Sequence, residues 1–161
     1  MFGKKEPVRL DKLKIDNTFK LFKTTWTITA IGEYDWRGDG RSIEYTISSN
    51  AAEKAYLEVE FTKGDYEICF SKAINIDNAL LQDAIISKNI IYLDNVFKLD
   101  ETYSGSYKNL TSQSSWEHLE SFIFYSEDDE MLTIEKWQDH TFEAFYGQEV
   151  SAKKIKNITT I

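Results

Sequence analysis

Tyr56-Leu57-Glu58-Val59-Glu60-Phe61 alternates apolar and acidic side chains, and a near-copy of the pattern returns 75 residues later as Met131-Leu132-Thr133-Ile134-Glu135-Lys136-Trp137. Strict alternation is the period of a half-buried strand, in which successive side chains leave on opposite faces. The pattern places Leu57, Val59, Leu132 and Ile134 toward a core. It places Tyr56, Glu58, Glu60, Glu135 and Trp137 on an outer, solvent-facing surface.

Working outward, Thr62-Lys63-Gly64-Asp65 closes a tight turn into Tyr66-Glu67-Ile68-Cys69-Phe70. Upstream, Trp26-Thr27-Ile28-Thr29-Ala30-Ile31 and Ile43-Glu44-Tyr45-Thr46-Ile47 flank Gly38-Asp39-Gly40, a hairpin signal. Downstream, strands are expected at 90–93, 96–100, 119–125, 131–137 and 142–146; residues 77–86 fit either a short helix opened by Asp77 or, at Ile85-Ile86, the start of another strand, so the chain holds at most one short helix. The fold class is therefore mostly β, with two related antiparallel meanders, 18–72 and 90–147, packed as a sandwich or closed into a barrel. At an offset of 75 the halves align Leu57 with Leu132, Val59 with Ile134, Glu60 with Glu135 and Phe70 with Phe145. Residues 103–115, rich in Ser, Gly and Tyr, read as a long surface loop.

A chain of 161 residues fits one domain, 18–155, preceded by a basic extension over 1–17. One cysteine, Cys69, cannot form an internal bridge, which fits a reducing cytoplasmic location. The net charge of −8 is uneven: residues 1–23 carry +4, residues 153–161 carry +3 and the body between them carries −15. Such a body repels phosphate backbones, so nucleic acid is an unsuitable partner. The basic ends suit weak contact with anionic lipid.

Catalytic patterns are thin. The two histidines, His118 and His140, stand in no metal-ligand spacing, and no phosphate-cradling glycine loop opens a helix. No catalytic residue, metal or cofactor is assigned. Two binding readings remain. Trp36 and Arg37, at the tip of the first hairpin, combine two residue types that dominate protein interfaces. Tyr56, Glu58, Glu60, Glu135 and Trp137 combine carboxylates with aromatic rings, a mixture that attracts organic cations such as polyamines. An enzyme whose carboxylates escape recognition by spacing is the third class.

The succession Ile43-Glu44-Tyr45-Thr46-Ile47, Tyr56-Leu57-Glu58-Val59, Leu132-Thr133-Ile134-Glu135-Lys136-Trp137 and Glu143-Ala144-Phe145-Tyr146-Gly147-Gln148-Glu149-Val150 resembles the bacterial domain of unknown function 4178 family, over roughly residues 18–155. Where that family often has glycine before its central Tyr strand, this chain has Asn89. The resemblance implies no catalytic residues. It implies genomic company with phage-shock-type and flotillin-like membrane proteins and with enzymes resembling polyamine synthases. On that basis the expected role is a cytoplasmic adaptor with protein partners at a membrane-stress complex, the alternative being a polyamine-binding protein.

Overall fold

The computed structural model describes residues 7–160. The chain forms β1 (Thr18–Leu21), β2 (Thr24–Asp35), β3 (Arg41–Ser49), β4 (Lys54–Thr62) and β5 (Asp65–Ile74), then α1 (Asn78–Ser87). It continues through β6 (Asn89–Tyr92), β7 (Asn95–Asn109), β8 (Glu117–Tyr125), β9 (Glu130–Trp137), β10 (Phe142–Glu149) and β11 (Lys156–Thr159). All eleven strands belong to one antiparallel sheet in the order β11-β1-β2-β3-β4-β5-β10-β9-β8-β7-β6. An additional pairing of β2 with β7 closes strands β2–β5 and β7–β10 into a barrel-like ring of eight. The expectation of two meanders is met, and the ring is how they join.

The likeness between the two halves starts earlier than the sequence pattern shows. Each half begins with a short strand and a two-residue turn, Phe22-Lys23 in one and Leu93-Asp94 in the other, and all four turn residues have positive φ. That backbone is the type I′ geometry whose twist matches antiparallel strands. Each half then bends at a β-bulge. Ile28 pairs with Ile47 but Ala30 with Thr46, and Leu99 pairs with Phe124 but Glu101 with Ile123. One extra residue at each bulge turns every following side chain to the opposite face of the sheet. The first part of β2 and of β7 thus serves a greasy core, and the second part faces the inside of the ring.

Two separate cores result. The first gathers Trp26, Ile28, Tyr45, Ile47, Leu57 and Val59 with Leu10 and Leu13, and the second gathers Phe97, Phe122, Phe124, Leu132 and Ile134 with Leu81 and Ala84 of α1. Each fully buried aliphatic side chain here contributes about 1.5–3 kcal/mol. The expected core residues Leu57, Val59, Leu132 and Ile134, and with them Trp26 and Ile28, are all at most 3% exposed.

Three readings change. Leu10 and Leu13 are buried, and the Tyr45 hydroxyl donates to the Leu10 carbonyl and accepts from the Leu13 N–H. The described part of the 1–17 extension is therefore docked on the first core. Residues 103–109 are not loop but the second part of β7. The register relating the halves is also one pleat off. Leu57 faces Tyr45 as Ile134 faces Phe122, so Leu57 corresponds to Ile134 and Glu58 to Glu135. The helix spans 78–87 without a side-chain cap from Asp77, and it ends at Lys88, whose φ of 64° supplies the left-handed position one residue before Asn89.

Candidate functional site

The eight-stranded ring encloses a cavity of about 520 Å³. Because the two apolar faces of the halves are spent on their own cores, the opposite faces line this lumen. From β3, β4 and β9 come Glu44, Tyr56, Glu58, Glu60, Met131, Thr133 and Glu135; from β5, β7 and β10 come Glu67, Cys69, Glu101, Tyr103, Phe145 and Glu149. Among the described residues, eight of those that line it are acidic and seven are aromatic, and none is Lys, Arg or His.

The floor is a tight cluster. The hydroxyl of Tyr34, 2% exposed, lies 2.9 Å from a Glu135 oxygen and 3.1 Å from a Glu44 oxygen. A single hydroxyl proton cannot satisfy two carboxylates at once, so this spacing requires that one of the two carboxyls carry its own proton. Burial pushes Glu44 up to about 8, reinforced by the Glu58 charge. Burial, then the Glu44 charge, holds Glu135 well above the ordinary carboxylate range. These are the conditions under which neighbouring acids share protons at neutral pH.

Above the floor, Glu58 accepts a 2.6 Å hydrogen bond from the Ser42 hydroxyl, which itself accepts from the Trp36 indole N–H at 3.1 Å. Burial raises the Glu58 carboxyl, and the Ser42 bond opposes that rise. Aromatic rings stand beside the carboxylates: Tyr56 meets Phe145 edge to face with centroids 5.4 Å apart, and Trp36 stacks on Tyr34 at 4.7 Å. The Cys69 thiol faces the Met131 sulfur at 3.7 Å, and burial pushes its pKa up, so it is a weak nucleophile. Toward the β2–β3 end, Tyr103 donates to Glu101 and Tyr125 donates to Glu149. Among the described residues no group of three or more His, Cys, Asp and Glu side chains is arranged to hold a metal ion.

The acidic and aromatic residues singled out from the sequence are brought together, but not where the pattern put them. Tyr56, Glu58, Glu60 and Glu135 line one internal cavity instead of an outer surface, and Glu135 is 6% exposed. Trp137 is not part of the lining; it packs edge-on against Tyr107. Trp36 is not an exposed tip. It folds back over the ring, while Arg37 remains exposed. Sequence reading missed Tyr34, Glu44 and Glu101. The signal was present: Gly32, Tyr34 and Trp36 alternate, as do Glu101, Tyr103, Gly105 and Tyr107, without the aliphatic residues that mark a core-facing strand.

The profile of a family described as a domain of unknown function, DUF4178, matches residues 14–152. A relative described as an uncharacterized protein of Aquifex aeolicus (strain VF5) is 26% identical over 159 residues, covering 92% of this chain and 84% of its own length. No solved structure matches the chain.

Proposed function

The chain belongs to the DUF4178 family, and we propose that its lumen binds a small organic cation of the protonated-amine class, for which a linear polyamine is a suitable form. The observation that supports this is the lining itself: eight carboxylic acids and seven aromatic rings, with no cationic side chain among them. Carboxylates neutralise ammonium groups, and aromatic faces add about 0.5–2 kcal/mol each through the ring quadrupole. Buried acids without cationic partners hold protons, and a ligand that brings its own charge replaces those protons. The acidic body of the chain draws such a ligand inward.

Calorimetric titration with spermidine tests this. The expected dissociation constant lies in the micromolar to millimolar range, weakening as salt rises because screening shortens from about 10 Å at 0.1 M to about 3 Å at 1 M. Glu58→Gln with Glu135→Gln is expected to weaken binding at least about tenfold, which is about 1.4 kcal/mol. No heat at low salt, or an affinity indifferent to both changes, overturns the reading.

The adaptor role, with protein partners at a membrane-associated complex in the cytoplasm, is a second reading. Arg37, exposed at the tip of the β2–β3 connection, supports it. No helix among the described residues is long and apolar enough to cross a membrane.

A further inference from the structure

The sheet has two ends, and internal duplication makes them comparable. At one end β11 lies along the outer edge of β1; at the other, β6 has no neighbour on its outer side among the described residues. Counting back from the two-residue turns, Lys20 on β1 corresponds to Ile91 on β6. Lys20 pairs with Lys156 of β11, so in the first half this rung is occupied by an antiparallel strand. Its counterpart in the second half is open.

The geometry of the open rung is specific. Tyr92 and Asn95 close the β6–β7 hairpin and Ile90 pairs with Phe97, so the N–H and C=O of Ile91, lying between those two rungs, point away from β7. Asn89, the next outward-facing position, is already engaged: its carbonyl accepts from the Ser87 hydroxyl and its N–H donates to it. Around the open rung the surface is apolar. Ile91 is 72% exposed, its cross-strand neighbour Val96 47%, Leu93 in the turn 63% and Ile86 at the end of α1 71%. β6 therefore presents an open backbone rung among apolar side chains, with no charge at residue 91 of the kind that commonly keeps edges apart.

We propose that β6 pairs with β6 of a second copy of this chain, antiparallel and centred on Ile91. Charge complementarity favours this occupant. Lys88 and Asp94 flank β6 at its two ends, so a twofold pairing centred on residue 91 brings the Lys88 end of one copy to the Asp94 end of the second copy, and does so twice across the axis. Both side chains are exposed. The two Ile91 residues exchange a pair of backbone hydrogen bonds, and the apolar side chains beside them are shielded from water.

Sedimentation equilibrium across about 1 μM to 0.5 mM tests it, a span that brackets weak to moderate association. The expected mass rises from 18.8 kDa toward twice that value. Ile91→Lys, which replaces the apolar side chain on the twofold axis by a charge in both copies, is expected to remain monomeric throughout with an unchanged thermal midpoint. Lys88→Asp is expected to weaken association by about tenfold through like-charge contact, and Lys88→Asp combined with Asp94→Lys is expected to restore it. Lysine at the second position is sterically ordinary, because Lys23 occupies the same place in the first turn with φ 61°. A wild-type chain that stays monomeric over the whole range overturns the proposal. So does a dimer indifferent to Ile91→Lys, or one that the charge exchange fails to restore.

Discussion

Glu58 and Glu135 occupy the same position in the two halves of the molecule, each on the third strand of its meander, and both carboxylates face one cavity. Their surroundings differ. Ser42 donates to Glu58, whereas the Tyr34 hydroxyl, carried by the opposite half, donates to Glu135. Two matching backbone positions therefore carry an unequal pair of acids.

Stability is expected to fall as pH rises. Glutamate in the unfolded chain titrates near 4.5, whereas Glu44 in the folded chain titrates near 8 and Glu135 is also raised. Between those values the unfolded chain binds fewer protons than the folded one, so the contribution is fully present below about 4.5 and is lost as pH passes through about 8. Thermal midpoints at pH 5 and pH 8 check the sign. Glu44→Gln is expected to gain on the order of 1 kcal/mol at pH 8, about 2–4 °C in midpoint for a chain of this size, and to flatten the dependence.

Ligand affinity is expected to run the other way. A cation in the lumen favours the ionised acids, so binding releases protons and strengthens between pH 5 and pH 8. Calorimetry in two buffers of different ionisation enthalpy reads the proton release directly. Glu44→Gln is expected to reduce it.

Tyr45→Phe is expected to cost about 1–3 kcal/mol, since it leaves the buried Leu10 carbonyl and Leu13 N–H without their shared hydroxyl. Hydrogen exchange at residues 10–13 is expected to accelerate more than exchange in β9. Equal acceleration in both places would show that these residues are not held by that hydroxyl.

Trp36→Ala is expected to lower stability by about 1–3 kcal/mol, below the range for a fully buried tryptophan because Trp36 is half-buried. It removes the stack on Tyr34 and the bond to Ser42. A midpoint within 1 °C of wild type would place the indole in solvent.

Gly147→Ala is expected to cost more than a surface change, because a Cβ there runs into the Phe70 carbonyl oxygen. Gly147 pairs with Ser71 where β10 joins β5, one of the two seams that close the ring. Thermal unfolding of this variant beside Gly38→Ala, where a Cβ meets nothing within 4 Å, isolates the seam from general glycine effects.

Strands were legible where one face is aliphatic, as with Leu57 and Val59 or Leu132 and Ile134, because alternation between oil and charge survives any tertiary context. The second part of β7 was not, because Tyr103, Gly105 and Tyr107 turn toward the ring while its outer residues are polar, so neither face carries the aliphatic marker. The alternation in β4 and β9 points to a solvent-facing acidic surface for a related reason: a polar cavity and bulk water select similar side chains. Closure of the ring depends on seams at Gly105 and Gly147, whose close backbone contacts leave no periodicity in the sequence.

The paired bulges, one in β2 and one in β7, let a single strand serve an oily interior along its first part and the acidic chamber along its second. Because the two strands bend alike, each wall of the chamber is set by a separate stretch of chain: Tyr34 stands on β2 at the place that Gly105 holds on β7. A side chain can therefore be exchanged on one wall without a matching exchange on the other.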